Sequence, residues 1–283
     1  MLYRGFATQE EIDAGYNNMA AVPDAPALLA DWAQRSAAAR DLPCARLRLA
    51  YGPTRAEKLD LFTAGAGTPL HIFVHGGYWR SLSAADFSFL APTFVAAGIS
   101  LAVIDYALCP TVTMDEIVRQ VRAAVAWCKV RSDVHGCDAG RLSISGHSAG
   151  GHLTGMALLT DWARDYDLPA DTLRAGVPIS GLFDLAPFPY SYLQPKLQLD
   201  WGQVRRNSPI LHLPRAMPPM TVAVGAAELP ELVRQSYDFA AAATTAGLQA
   251  TYLPVGERNH FTILNDLCEP STALFQAIRT AAY

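Results

Sequence analysis

The chain has 283 residues, of which 51% are hydrophobic and 17% charged, with a formal net charge of -4. That length and balance suit one large core-forming domain over residues 1–283, and the scattered lysines and arginines exclude a polyphosphate or anionic-membrane partner. The amino terminus carries early acidic residues and lacks a secretory apolar run, and no apolar stretch approaches the ~20 residues of a membrane span. The five cysteines (Cys44, Cys109, Cys128, Cys137, Cys268) are spread without a C-x-x-C, so free thiols in a cytoplasmic, reducing compartment are expected.

In chain order, residues 1–40 read as helical: "PDAPALLADWAQRSAAAR" sets Leu28, Leu29 and Trp32 at helical spacing after a proline start. "ARLRLAY" and "KLDLF" alternate apolar and polar residues, which predicts half-exposed strands near a sheet edge. The short apolar runs "LHIFVH", "ISLAVIDY", "RLSISGH", "AGVPIS", "MTVAVG" and "QATYLPV" follow. Helical patterns over 84–97, 112–131, 149–163, 229–246 and 270–282 separate them. Such alternation predicts an α/β fold, a mostly parallel sheet with helices on both faces and functional groups at the carboxyl ends of the strands. Residues 185–219 are rich in proline and aromatics, which breaks any long helix and reads as an excursion over that edge, a partial cap.

The segment "ISGHSAGGHL" joins a predicted strand to a predicted helix and contains Gly146-His147-Ser148-Ala149-Gly150. Small residues two before and two after a serine let the backbone turn sharply, which leaves the hydroxyl exposed at the tip. By composition a G-x-S-x-G arises by chance in roughly one chain of this length in fifteen, so its place between strand and helix carries the weight. A serine hydroxyl is a poor nucleophile until a base, usually a histidine oriented by a carboxylate, takes its proton. Among the seven histidines, His260 lies just beyond the last predicted strand and fits that place best. Glu228 follows the preceding strand and is the first choice of acid; Glu231, which a helix amino terminus also explains, and Asp184 are the alternatives.

Acyl transfer also needs donors aimed at the developing oxyanion. "VHGGYW" ends a strand with two glycines, so the amides of Gly76 and Gly77, with that of Ala149, are expected to form an oxyanion hole. His75 is expected to brace this loop, and His152, four residues after Ser148, to support the elbow. Tyr78 and Trp79 are expected to wall an aromatic substrate. His71 and His75 are four apart on a strand without H-E-x-x-H, so no metal or other cofactor is expected.

With those residues in hand, "HGGYWRSLSAADFSF", "GHSAGGHL", "ISGLFDLAPF", "NSPILHLP", "VAVGAAELPELVRQS" and "NHFTIL" resemble the α/β-hydrolase group of arylformamidases and hormone-sensitive-lipase-like carboxylesterases. The HGGYW sequence is closer to the formamidase side, whereas esterases often carry a third glycine or alanine. The resemblance implies Ser148, Glu228 and His260 as a triad, Gly76, Gly77 and Ala149 as oxyanion donors, and cleavage of an N-formyl arylamine such as N-formylkynurenine. Many relatives have aspartate where this chain offers Glu228. The alternative is a carboxylesterase for small acyl esters. The expected partner is a small-molecule substrate, an aromatic amide or ester, with no nucleic acid and no membrane, and at most further copies of the chain in a homo-oligomer.

Overall fold

The computed structural model describes residues 1–283. Its eight strands are β1 (Ala45–Ala50), β2 (Lys58–Phe62), β3 (Thr68–Val74), β4 (Ser100–Ile104), β5 (Cys137–His147), β6 (Gly176–Ile179), β7 (Met220–Gly225) and β8 (Ala250–Val255). They form one sheet in the order β1-β2-β4-β3-β5-β6-β7-β8. Strand β2 runs antiparallel to both neighbours, and every pairing from β4 to β8 is parallel.

The apolar runs of the parallel strands serve two layers at once. In β4, Ala102 and Ile104 face one core cluster with the helices Met114–Arg131, Ala149–Leu158 and Pro230–Thr245. Leu101 and Val103 face the other, with the helices Ala25–Arg40, Ala91–Ala96 and Ala273–Ala282. A period of two with both faces covered leaves little polar alternation to see.

Three expectations need correction. Strand β2 is buried along most of its length, because its one carboxylate, Asp60, is satisfied internally by Arg40 and by the Arg48 amide at 2.8 Å. The helix expected over 84–97 is two 3-10 turns, Ala84–Asp86 and Ser88–Leu90, before a helix at Ala91–Ala96. Pro92 would clash with the carbonyl one turn earlier in a continuous helix, and Ser83 and Asp86 close a capping box that starts a separate turn. The helix from Ala149 ends at Leu158, and Asp161 caps a new one at Trp162–Tyr166 through the Arg164 amide.

Residues 185–219 form short pieces, including helices Gln194–Leu197 and Trp201–Arg206. The amino-terminal segment, with helices Gln9–Tyr16 and Asn18–Ala21, is tied to this region by the Tyr192 amide, which donates to Asp13 at 2.7 Å, and to its surroundings by the Tyr3 hydroxyl, which donates to Asp184 at 2.8 Å, and that of Tyr16, which donates to Glu231 at 2.8 Å. No helix is long and apolar enough to cross a membrane.

Candidate active site

Strand β5 ends at His147, the helix begins at Ala149, and Ser148 between them has φ 59° and ψ -118°. That left-handed conformation is costly for a non-glycine residue and persists only where its surroundings enforce it. Here they do. The Ser148 amide donates to the Ile179 carbonyl at 2.9 Å, and the turn presses so closely on β3 that a Cβ on Gly150 would stand 2.0 Å from the Val74 oxygen.

Strands β7 and β8 deliver the other two groups. His260 Nδ1 lies 2.6 Å from Glu228 Oε2, and His260 Nε2 lies 3.0 Å from Ser148 Oγ. An ionised carboxylate only accepts, so Nδ1 carries the proton and Nε2 offers its lone pair to the serine hydroxyl. The other carboxylate oxygen, Oε1, accepts from the Gly225 amide at 2.7 Å and from the Ser180 hydroxyl. All three side chains are buried. The two other carboxylates are engaged elsewhere: Asp184 with Tyr3, and Glu231 with Tyr16 and Arg234.

His147 lies beside this chain of groups, its ring 4.5 Å from that of His260, and its Nε2–H donates to the His260 carbonyl at 2.8 Å. Burial, reinforced by the neighbouring His260, pushes its pKa well below the ordinary histidine value, so a neutral imidazole pins the loop that carries His260.

After β3, the backbone at Gly77, Tyr78 and Trp79 takes positive φ of 108°, 48° and 56°. The Gly77 carbonyl turns inward to accept from the amides of Arg80 and Ser81 at 3.0 and 3.1 Å. The amides of Gly76 and Gly77 have no acceptor within the chain, and Gly76 lies so near Ser148 that an added Cβ would be 3.2 Å from the serine Cβ. Ala149, the first residue of its helix, has no preceding turn to accept its amide hydrogen. His75 Nδ1 donates to the Gly76 carbonyl at 2.7 Å, and its ring stacks on Tyr106 at 4.2 Å.

A cavity of about 140 Å³ contains Ser148, His260, Gly76 and Gly77 on its surface. Tyr78 lines it, with Phe87, Phe261 and Tyr192. Trp79 does not. The expectation of a Trp79 substrate wall is corrected: its ring is fully buried, donates through Nε1 to His152 at 3.1 Å and packs edge-on against Phe188. The left-handed turn sends consecutive side chains in different directions, Tyr78 to the cavity and Trp79 to the core. His152 Nε2 in turn donates to the Asn207 carbonyl at 2.7 Å, so this histidine ties the elbow helix to the 185–219 excursion.

Sequence reasoning missed the amino-terminal contribution, since Asn18, Met19, Leu29 and Trp32 line the same cavity. Helical periodicity located Leu29 and Trp32 on one face but held no sign that this face meets the carboxyl edge of the sheet. It also missed Ser180, whose only signal was its position at the end of a strand neighbouring both β5 and β7.

An eight-stranded, mostly parallel sheet with a strained serine elbow after its central strand defines an α/β-hydrolase. A family model described as BD-FAE matches residues 59–177. The chain is 33% identical to a kynurenine formamidase of Danio rerio over 83% of its own length and 81% of that protein's. It is 34% identical to the esterase LipC of Mycobacterium tuberculosis over 49% of its length and 37% of that protein's. A candidate thioesterase from Silicibacter sp. TM1040 is structurally similar, with a TM-score of 0.83 and 31% identity, covering 95% of this chain and 99% of that one. The protein belongs to the kynurenine formamidase family and is a hydrolase acting on a small molecule.

Proposed function

We propose that the protein deformylates an N-formyl arylamine, with N-formylkynurenine as the reference substrate. The observation that carries this reading is the hydrogen-bonded chain from Ser148 through His260 to Glu228, opening into an aromatic-walled cavity. The kinship with kynurenine formamidases supplies the substrate class.

In this mechanism Ser148 Oγ attacks the formyl carbon while His260 Nε2 takes its proton, and Glu228 stabilises the resulting imidazolium through Nδ1–H. The carbonyl oxygen becomes an oxyanion against the amides of Gly76, Gly77 and Ala149, backbone donors whose gain lies in being fixed before the reaction. The C–N bond breaks as His260 returns the proton to the arylamine nitrogen. Water, deprotonated by the same imidazole, then attacks the formyl ester of Ser148; the C–O bond to Ser148 breaks as His260 returns the proton to Oγ, and formate is released. Tyr78 packs against the arylamine, while residues 1–40 and 185–219 cover the site within a single domain. Free cysteines fit a reducing, cytoplasmic setting.

The second reading, a small-acyl carboxylesterase, is favoured by the likeness to LipC. Turnover of N-formylkynurenine against 4-nitrophenyl acetate separates the two. Deformylation is expected to dominate, and ester cleavage with negligible deformylation would reverse the order. Ser148→Ala is expected to lower kcat on either substrate by roughly 10³-fold or more and to abolish labelling by a fluorophosphonate.

A further inference from the structure

Asn18 stands where the amino-terminal segment meets His260 and Tyr78. It is buried and lines the catalytic cavity with Ser148 and His260. On its other side it borders a second recess, which also touches Glu228 and His260. Asn18 therefore lies on the His260 side of the cavity, where the leaving group must receive its proton.

The orientation of its amide follows from proton counting. The Tyr78 hydroxyl has one hydrogen and donates it to the Tyr16 carbonyl, so toward Asn18 it can only accept. Asn18 Nδ2 donates to it at 3.4 Å. Oδ1 is then the free end, and it is buried with no hydrogen-bond partner. Leaving such an acceptor unpaired forfeits the hydrogen bond it made in water, a cost that native proteins rarely keep without a use.

The reaction offers a matching donor. As the tetrahedral intermediate of a secondary arylamide collapses, the nitrogen lone pair must face His260 Nε2–H to accept the proton. The hydrogen already on nitrogen then points elsewhere, where an acceptor stabilises it. An ester oxygen carries no such hydrogen, and neither does a tertiary amide nitrogen.

We propose that Asn18 Oδ1 accepts the N–H of the departing arylamine, making Asn18 the residue that favours secondary arylamides over esters and tertiary amides. This rests on the amide-hydrolase reading above and adds the structural basis of its selectivity. It also gives the amino-terminal segment a role beyond covering the sheet, because the junction between the helices Gln9–Tyr16 and Asn18–Ala21 is held by the same Tyr16–Tyr78 contact that orients the amide.

The test removes the hydrogen bond from each side in turn. kcat/KM is measured for 4-nitroformanilide and its N-methyl analogue with the wild-type enzyme, Asn18→Ala and Asn18→Leu. The preference for the secondary over the tertiary formanilide is expected to fall about tenfold or more in both variants. Because both substrates are read on one sample, the folded fraction cancels from the ratio. A ratio unchanged within about twofold, or loss of both substrates alike in both variants, overturns the proposal. N-formylkynurenine run beside them keeps the underlying reading separate. If it is not cleaved while the Asn18-dependent ratio holds, the substrate assignment fails and Asn18 stands; if it is cleaved and the ratio does not move, the reverse is true.

Discussion

Glu228 meets its neighbours through three hydrogen bonds, and they have different consequences. The bond to His260 Nδ1 at 2.6 Å fixes the tautomer; those from the Gly225 amide and the Ser180 hydroxyl aim the carboxylate. Ser180 itself sits at φ 51°, a left-handed backbone held at the end of β6 beside the elbow. Ser180→Ala removes one hydrogen bond to a charged acceptor, an interaction of about 1.5–3 kcal/mol, and leaves the substrate contacts in place. The expected outcome is a fall in kcat of roughly tenfold or more with KM nearly unchanged, read from steady-state deformylation. A rise in KM at constant kcat would place Ser180 in binding instead. Glu228→Gln goes further, since an amide can present the wrong group to Nδ1, and kcat is expected to drop by roughly 10⁴-fold.

The elbow helix Ala149–Leu158 shows how one element can hold both rigid and permissive positions. A Cβ on Gly150 would lie 2.0 Å from the Val74 oxygen and 2.7 Å from the His75 oxygen, both backbone atoms at the end of β3. A Cβ on Gly155 would meet the Phe183 ring and Pro209 at 3.5 Å, ordinary contact. Gly150→Ala is therefore expected to lower the Tm sharply, by more than about 3 kcal/mol of stability, whereas Gly155→Ala is expected to be neutral or to stabilise by up to about 1 kcal/mol. Thermal melts of the two variants check the contrast; equal losses would mean that the helix is not pressed against β3 as described. Legibility in the sequence follows the same division. The G-x-S-x-G pattern was readable because close backbone approach demands glycine locally, and the strands were readable because two covered faces require short apolar runs. Local sequence did not reveal where distant segments land. Trp79 follows Tyr78 directly, yet a backbone turn visible only in three dimensions parts them, and Asn18 reaches the cavity through contacts that no periodicity encodes.

Across the whole molecule, buried histidines couple stability to pH. His71 is wedged between the Ser143 and Ser145 hydroxyls at 2.7 Å each, and burial pushes its pKa down to about 3. Burial, partly offset by the hydrogen bond to Asn207, brings His152 to about 4. His147 is lowered by burial and by His260, and His75 by burial against the opposing pull of Asp105. In the unfolded chain these imidazoles titrate near pH 6.5, so below that pH the unfolded state binds more protons than the native one and stability rises with pH. The contribution is complete above about pH 6.5 and is lost as the pH falls toward the native-state values. Between about pH 7 and 5.5 most unfolded carboxylates are still ionised, so imidazoles dominate, and unfolding near pH 5.5 is expected to be accompanied by net proton uptake, at least by His71 and His152. Urea titrations across that window should show the unfolding free energy falling as the pH is lowered, by on the order of 1 kcal/mol for each buried imidazole over the whole window; a flat profile would contradict buried, neutral histidines. These residues brace the β3–β5 pair, the His260 loop, the Gly76 loop and the link to Asn207. Acid-induced loss of activity should therefore coincide with loss of tertiary structure, because the bonds that hold the sheet together at its carboxyl edge are the ones that hold the site.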